Sequence, residues 1–166
     1  MIDSEGYRAN VGIIVSNAER KVLWCRRSGQ DAWQFPQGGI EVHESPEDAL
    51  YRELQEETGL TANDVVVLGK THDWLKYDIP ESFMRKDRDE ACIGQKQLWF
   101  LLKLCKEEFE LNIKGAESSE FDDYQWVHYW YPSEHVIDFK KDVYTRALRE
   151  LESFLTQDRL NPQLSG

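Results

Sequence analysis

The sequence has little cysteine, little proline and no long apolar run. Its 166 residues include only three cysteines and five prolines. Cys25, Cys92 and Cys105 do not have the spacing of a metal site, and their odd number argues against a disulfide framework. Because Cys25 and Cys105 lie in apolar stretches, we expect both side chains to be buried. No apolar run reaches the roughly 20 residues that a membrane-spanning helix needs.

Basic residues are also scarce relative to acidic ones. The chain has 20 Lys and Arg against 31 Asp and Glu, which gives a formal net charge of −11. A general RNA-binding protein normally presents a basic face, so this balance argues against strong nonspecific binding along a nucleic acid. The first ten residues, MIDSEGYRAN, are polar and acidic, unlike a secretory signal. Together with the cysteine usage, these features predict a cytoplasmic protein.

The apolar content is sufficient for one domain. Hydrophobic residues make up 40% of the chain, which suits a single core. Aromatic and β-branched patterns predict strands at residues 9–16, 21–27, 33–35, 65–68, 71–77, 97–104 and 124–128, with a polar loop at residues 78–90. After Pro132 the pattern becomes helical, with one buried face formed by Val143, Leu148, Leu151 and Leu155. We predict an α/β sandwich in one domain at residues 1–156 and a flexible tail at residues 157–166.

A helix with clear end signals lies in the middle of the chain. Ser45 is a suitable N-cap, Pro46 fits the first helical position, and Gly59 can adopt the left-handed conformation that ends a helix. On this helix Glu53, Glu56 and Glu57 are spaced three and four residues apart, so they share one face. Like charges at this spacing repel each other, which favours a bound cation among them. A cluster of hard oxygen ligands suits Mg²⁺ or Mn²⁺.

The simpler interpretation of these glutamates is an acidic, solvated helix face, because most charge clusters are of that kind. The sequence around them argues against it. Gly38 and Gly39 precede the helix and allow the backbone to approach a ligand closely. Glu44 and Arg52 add charged groups at regular positions near the three glutamates. We therefore predict a metal site and a reaction at phosphate.

These residues form a recognisable signature. Gly38, five residues, Glu44, seven residues and then RELQEETGL from Arg52 to Leu60 match every required position of the Nudix hydrolase motif. The chain therefore resembles that family. The resemblance implies an α/β/α sandwich with a mixed sheet and a loop–helix–loop metal site. It also implies hydrolysis of a nucleoside diphosphate linked to another group, with Glu53, Glu56, Glu57 and a carbonyl near Gly38 as metal ligands, and Glu44 and Arg52 supporting them.

Segments outside the signature narrow the resemblance. They are GYRANVGIIV near the start, WQFPQGGI before the helix, GQKQLWFLL from Gly94 to Leu102, and FKKDVY from Phe139 to Tyr144. Together they resemble the branch that contains the bacterial RNA pyrophosphohydrolases. That branch implies removal of pyrophosphate from a 5′-triphosphate RNA end, which promotes mRNA decay. Because it also contains dinucleoside polyphosphate hydrolases, an enzyme acting on diadenosine tetraphosphate is the alternative, and a silent nucleotide sensor is disfavoured by the intact carboxylates.

A further carboxylate is expected to complete the site or to take a proton from water. Glu120, in the loop sequence SSEFDDY, is our choice for this role. Without the resemblance, Glu120 would be interpreted as a solvated loop acid. We interpret Asp122 and Asp123 in that way. Glu56 is the alternative general base, and the sequence does not separate the two.

Basic and aromatic residues are candidates for binding the substrate. Arg8, Lys96 and Lys140 are assigned to the substrate phosphates, since Arg suits forked contacts and Lys acts as a point charge. Arg27 and Phe139 are assigned to the first base, because a guanidinium plane and an aromatic ring both stack on bases. The simpler interpretations are surface cations and, for Phe139, a core residue beside the last helix. No stable protein partner is predicted.

Overall fold

A computed structural model describes residues 2–83, 92–105 and 120–160 of the chain. The strands are β1 Tyr7–Ser16, β2 Val22–Arg27, β3 Trp33–Gln34, β4 Gln37–Gly39, β5 Val65–Lys70, β6 Leu75–Asp78, β7 Gly94–Leu104 and β8 Phe121–Val127. The helices are α1 Pro46–Thr58, α2 Tyr131–His135 and α3 Lys141–Leu160. Short 3₁₀ turns cover Ala62–Asp64, Glu81–Phe83 and Asp138–Lys140. No helix in these ranges is long and apolar enough to cross a membrane.

The strands form one mixed sheet between helices. Its main order is β3-β2-β1-β7-β5, while β4 pairs with β1, β6 with β7 and β8 with β2. At its centre β1 and β7 run parallel, from Tyr7 beside Gly94 to Ser16 beside Lys103. One apolar cluster joins the sheet to α1 through Ala49, Leu50 and Leu54. A second cluster joins the other face to α3, so the predicted layered α/β architecture is confirmed.

The local signals around α1 are confirmed. The Ser45 hydroxyl accepts a hydrogen bond from the backbone N–H of Asp48 at 3.0 Å, and Pro46 occupies the first turn. Gly59 has φ of 80° and donates its N–H to the carbonyl of Gln55. On α3 the predicted buried face, Val143, Leu148, Leu151 and Leu155, is also confirmed. These features depend on neighbours within a few residues, so the sequence carries them directly.

Several predicted boundaries differ from the structure. Residues 37–39, predicted as a loop, form β4, because its backbone pairs with Asn10, Val11 and Gly12 of β1. Residues 71–74, predicted as part of a strand, form a bend that allows β5 and β6 to pair with successive parts of β7. Helix α3 continues to Leu160, past the predicted start of the tail at residue 157. Residues 84–91 of the predicted loop and residues 161–166 of the tail lie outside the described residues.

The cysteines are partly as predicted. Cys25 is buried in β2, within the apolar cluster on the α1 side of the sheet. Cys105 is exposed, so the prediction of a buried side chain is wrong for this residue. The reason is that β7 ends at Leu104, one residue earlier, and the chain leaves the core there.

Candidate active site

A cavity of about 500 Å³ lies where α1, β4, β7 and the 3₁₀ turn at Asp138–Lys140 meet. Most of the candidate residues line it: Arg27, Gly38, Glu53, Glu56, Glu57, Glu120, Phe139 and Lys140. These residues come from positions 27 to 140 of the chain and are brought together by the sheet. Carboxylates, basic groups and an aromatic ring therefore line one cavity.

The three glutamates of α1 form a compact carboxylate group. One oxygen of each lies within 4.8 Å of the others. Glu53 and Glu57 are buried, with 8% and 2% of their surface exposed, whereas Glu56 is partly exposed. The interpretation as an ordinary solvated helix face therefore does not fit, since two of the three carboxylates are removed from solvent.

Arg52 connects this group to the preceding loop. Its Nε and Nη2 donate to the two carboxylate oxygens of Glu44 at 2.7 and 2.9 Å. Its Nη1 donates to Glu53 at 2.8 Å and to Glu56 at 3.4 Å, and Nη2 also donates to the carbonyl of Gly39 at 2.8 Å. The hydrogen bond from Arg52 lowers the pKa of Glu44 to about 2. Arg52 therefore fixes the glutamates relative to the loop without entering the lining of the cavity.

Glu57 lacks such compensation. Burial, followed by the neighbouring Glu120 carboxyl, raises the pKa of Glu57 to about 9. Within the described residues its Oε2 is buried and has no hydrogen-bond partner. Burial also raises the pKa of Glu53, although the hydrogen bond from Arg52 opposes this effect. A buried carboxylate oxygen without a donor, beside two or three further carboxylates, is a suitable position for a divalent cation.

The backbone at Gly38 fits closely against these acids. A Cβ atom built on Gly38 would overlap the side-chain carboxylate of Glu53. A Cβ on the next residue, Gly39, would meet only the backbone oxygen of Ala9 at 4.0 Å. Of these two glycines, Gly38 alone requires glycine for reasons of space, and it lines the cavity together with the glutamates.

The rest of the lining includes basic and aromatic residues. The Lys140 side chain is buried, and its Nζ donates to Oε1 of Gln34 at 3.4 Å. Burial, with the nearby charge of Arg27, lowers the pKa of Lys140 to about 8, while Glu120 acts in the opposite direction. The ring of Phe139 lies 5.8 Å from that of Tyr77 and 5.3 Å from that of Phe83. Phe139 therefore packs against two aromatic rings that line the same cavity with it.

Two predicted phosphate-binding residues are not in the lining of this cavity. Lys96 forms an ion pair with Asp3 at 3.1 Å, and its Nζ lies 5.1 Å from the ring centre of Trp74. Arg8 lines a separate pocket together with Gly39, Arg52 and Glu53. The structure thus brings Arg8 to the edge of the carboxylate group and leaves Lys96 paired elsewhere.

Residues that the sequence analysis did not select also line the cavity. Gln37 and Gln95 face it, as do Tyr77 and Phe83. Within the described part of the chain, Oε1 of Gln95 is buried without a hydrogen-bond partner. The sequence could have pointed to Gln95 and Gln97 of the segment GQKQ, because polar residues at alternate positions of a buried strand require hydrogen-bond partners.

A second cavity of about 610 Å³ adjoins the first. The two share a wall formed by Arg27, Gln34, Phe83, Phe139 and Lys140. The far side of the second cavity includes Trp33 and the stacked rings of Tyr131 and His135, whose centres are 3.8 Å apart. A flat aromatic group therefore has a suitable space directly beside the carboxylate cavity.

The Arg52 contacts predict the result of a conservative substitution. Arg52→Lys should lower kcat by about tenfold, because an ammonium group cannot make the forked contacts with Glu44 and reach Glu53 at the same time. Steady-state kinetics and thermal melting measure the effect. Arg146→Lys, which changes an exposed arginine paired with Asp142 on α3, is the matched control and should retain wild-type kcat. Equal kcat for both variants would contradict the positioning role of Arg52.

Comparisons with known proteins agree with this geometry. The family model described as NUDIX domain matches residues 6–150. A protein of Halorhodospira halophila named RNA pyrophosphohydrolase is 54% identical over 158 residues, covering 95% of this chain and 87% of that protein. A Histophilus somni protein of the same name is 51% identical over 165 residues, covering 99% of this chain and 86% of its own length.

Solved structures with the same fold are more distant in sequence. The dihydroneopterin triphosphate pyrophosphohydrolase of E. coli superposes with a TM-score of 0.69 at 17% identity, covering 87% of this chain and 98% of that chain. A C. elegans Ap4A hydrolase in a binary complex superposes with a TM-score of 0.63 at 19% identity, covering 90% and 98%. At these identities the likeness shows the shared fold alone.

Proposed function

This chain belongs to the Nudix hydrolase family, and we propose that it removes pyrophosphate from the 5′-triphosphate end of RNA, leaving a 5′-monophosphate. The observation that carries the proposal is identity above 50% over nearly the whole chain to relatives named RNA pyrophosphohydrolase. The cavity supports it, because its lining combines carboxylates for a cation with basic and aromatic groups for a nucleotide. Such an enzyme acts in the cytoplasm, where its product would enter mRNA decay.

Nudix hydrolases use divalent cations, and the donor set here fits Mg²⁺, with Mn²⁺ as the other suitable ion. Glu53, Glu56 and Glu57 would hold it, with Glu120 and the carbonyl of Gly38 beside them. When bound, the cation neutralises phosphate charge and polarises the phosphorus that water attacks. The unpartnered Oε2 of Glu57 supports this assignment, since a buried acceptor otherwise lacks compensation.

The reaction itself needs a proton acceptor near the attacked phosphorus. Water forms a bond to the α-phosphorus, the bond from that phosphorus to the bridging oxygen breaks, and pyrophosphate leaves. Glu120 is the preferred acceptor of the water proton, because Arg52 already forms an ion pair with Glu56, the second candidate.

Binding of the nucleotide is assigned to the basic and aromatic residues of the lining. Lys140 contacts a phosphate, and its burial makes that contact stronger than a contact at the surface. Arg27 and Phe139 hold a base on the side that faces the second cavity. Arg8 is a phosphate contact from the edge pocket, whereas the ion pair with Asp3 argues against that role for Lys96.

The acidic charge of the chain is compatible with an RNA substrate if only the 5′ end is held. The net charge is −11, and the basic groups lining the carboxylate cavity within the described residues are Arg27 and Lys140. Internal RNA would therefore meet a repulsive surface, while the triphosphate end meets the cation site. Affinity should depend strongly on the terminal phosphates and weakly on RNA length.

A second candidate function is hydrolysis of dinucleoside polyphosphates. The adjoining 610 Å³ cavity favours it, because a second nucleoside could occupy that space without any RNA path. The carboxylate chemistry would be unchanged. The two functions differ only in the group attached to the phosphates, which is a second nucleoside in one case and an RNA chain in the other.

Substrate comparison separates these functions. We expect kcat/KM on 5′-triphosphate RNA to exceed that on diadenosine tetraphosphate by at least about tenfold. RNA labelled at its terminal phosphates should release labelled pyrophosphate. A 5′-hydroxyl RNA of the same sequence, used as the control, should compete at least about tenfold more weakly. Equal competition by the two RNAs, or faster cleavage of the dinucleotide, would contradict the RNA proposal.

A further inference from the structure

The segment that carries Glu120 contains an irregularity in its strand pairing. Strand β8 pairs antiparallel with β2, with Arg26 opposite Asp123 and Arg27 opposite Phe121. Asp122 is therefore an extra residue without a partner in the ladder, and the register shifts at this point. Such bulges bend a strand and redirect the side chains beside them. This one lies two residues after Glu120 and next to the pairing of Arg27 with Phe121, and both Glu120 and Arg27 line the cavity.

Asp122 is bound tightly for a residue at the surface. One carboxylate oxygen accepts a hydrogen bond from Nε of Arg26 at 2.8 Å, and the other accepts from the backbone N–H of Gly29 at 3.0 Å. The hydrogen bond from Arg26 lowers the pKa of Asp122, so the carboxylate stays charged. The sequence interpretation of Asp122 as a merely solvated loop acid is therefore wrong.

The same turn is also attached to Glu120. The backbone N–H of Ser28 donates to the carbonyl of Glu120 at 2.8 Å. Consecutive N–H groups, of Ser28 and Gly29, thus both bind the segment 120–122. Gly29 has φ of 72°, which lets this amide point toward Asp122 without strain from a side chain.

We propose that Asp122 is a positioning residue that holds Glu120 and Arg27 in register where the paired strands β8 and β2 meet the cavity. By clamping the turn after β2 to the bulge in β8, it fixes a carboxylate on one element relative to a guanidinium on the other. The inference rests on the proposed function, because Glu120 and Arg27 are assigned to proton transfer and base binding there. Without the clamp the turn and the bulge separate, and both side chains lose their alignment with the substrate.

Kinetics of Asp122→Ala on 5′-triphosphate RNA test the proposal. We expect kcat to fall by about tenfold, through Glu120, and KM to rise several-fold, through Arg27. Asp123→Ala, which removes the exposed acid next in the chain, is the matched control and should change neither by more than about twofold. Asp122→Asn keeps an acceptor oxygen, so its kcat should lie between those of Asp122→Ala and the wild type. If Asp122→Ala does not fold, Asp122→Asn is used in its place.

A double-substitution cycle distinguishes positioning from general loss of structure. In a Glu120→Gln background, Asp122→Ala should lower kcat by less than about twofold, because the group it aligns has already been changed. A tenfold loss of kcat on Asp122→Ala in both backgrounds would overturn the proposal. Equal changes of kcat and KM in Asp122→Ala and Asp123→Ala would also overturn it. If the wild-type enzyme cleaves dinucleoside polyphosphates and not RNA, the proposed function fails. The same cycle on that substrate then still tests Asp122.

Discussion

Replacing Glu57 with glutamine should lower kcat by on the order of 1000-fold while stabilising the metal-free protein. The loss follows because a cation that polarises phosphate contributes several kcal/mol to the transition state, and each 1.4 kcal/mol changes the rate tenfold. Glutamine has nearly the same shape as glutamate, so packing around α1 is retained. It cannot supply the charge that the buried position offers to a cation.

The stabilisation of the metal-free variant follows from the raised pKa of Glu57 in the wild type. The pKa of Glu57 is raised from 4.5 to about 9, so between these values the folded metal-free protein binds a proton that the unfolded chain has released. The free energy of unfolding therefore falls as pH rises through this window. Glu57→Gln lacks this titration. At pH 8 without metal the variant should melt a few degrees, roughly 2–5 °C, above the wild type.

Thermal melting from pH 5 to pH 9 in the presence of a chelator measures this difference. Glu47→Gln changes an exposed glutamate on the same helix and is the control, with no gain expected. Added Mg²⁺ should raise the melting temperature of the wild type more than that of Glu57→Gln. An active Glu57→Gln enzyme, or one that gains as much from Mg²⁺ as the wild type, would contradict the assignment of Glu57.

Gly38→Ala should lower kcat by on the order of 100-fold. The added Cβ overlaps the Glu53 carboxylate, so that carboxylate or the backbone of β4 must move. Because Arg52 holds Glu53 and the carbonyl of Gly39 together, the displacement passes through the whole carboxylate group. Misplacement of about 1 Å is enough for a 100-fold loss in such sites.

Gly39→Ala is the matched comparison, since its added Cβ has open space. It should lose no more than about threefold in kcat, because neither glycine has a left-handed backbone that an alanine would strain. Steady-state kinetics with a Mg²⁺ titration measures both variants. Losses of equal size at the two positions would mean that backbone flexibility, and not the space beside Glu53, is what this loop requires.

The helix α1 and its acids could be predicted from the sequence because the information is local. Ser45, Pro46 and Gly59 act on groups within four residues of themselves, and the spacing of the glutamates fixes their common face. The grouping of Arg27, Glu120, Phe139 and Lys140 in one cavity was predicted only through a family resemblance, since these residues are far apart in the chain. Composition and spacing alone would not have selected them.

The absence of Lys96 from the cavity lining has a simple physical reason. Neighbouring residues on a strand point to opposite faces, so only one of Gln95 and Lys96 can face the cavity. A basic residue was the expected ligand for phosphate, but the register of β7 against β1 and β6 turns Gln95 inward. Register is set by long-range pairing, which the segment GQKQ does not carry by itself. The bulge at Asp122 is beyond sequence inference for the same reason.

The parallel pairing of β1 with β7 also bears on how the chain acquires its structure during synthesis. Every paired position in this ladder joins residues 87 positions apart, from Tyr7 with Gly94 to Ser16 with Lys103. The centre of the sheet therefore cannot close until β7 has left the ribosome, and such high contact order slows folding. Helix α1 is synthesised before β7, so its glutamates cannot join the other residues of the cavity until the sheet has formed. Catalytic competence is accordingly one of the last properties that the nascent enzyme gains.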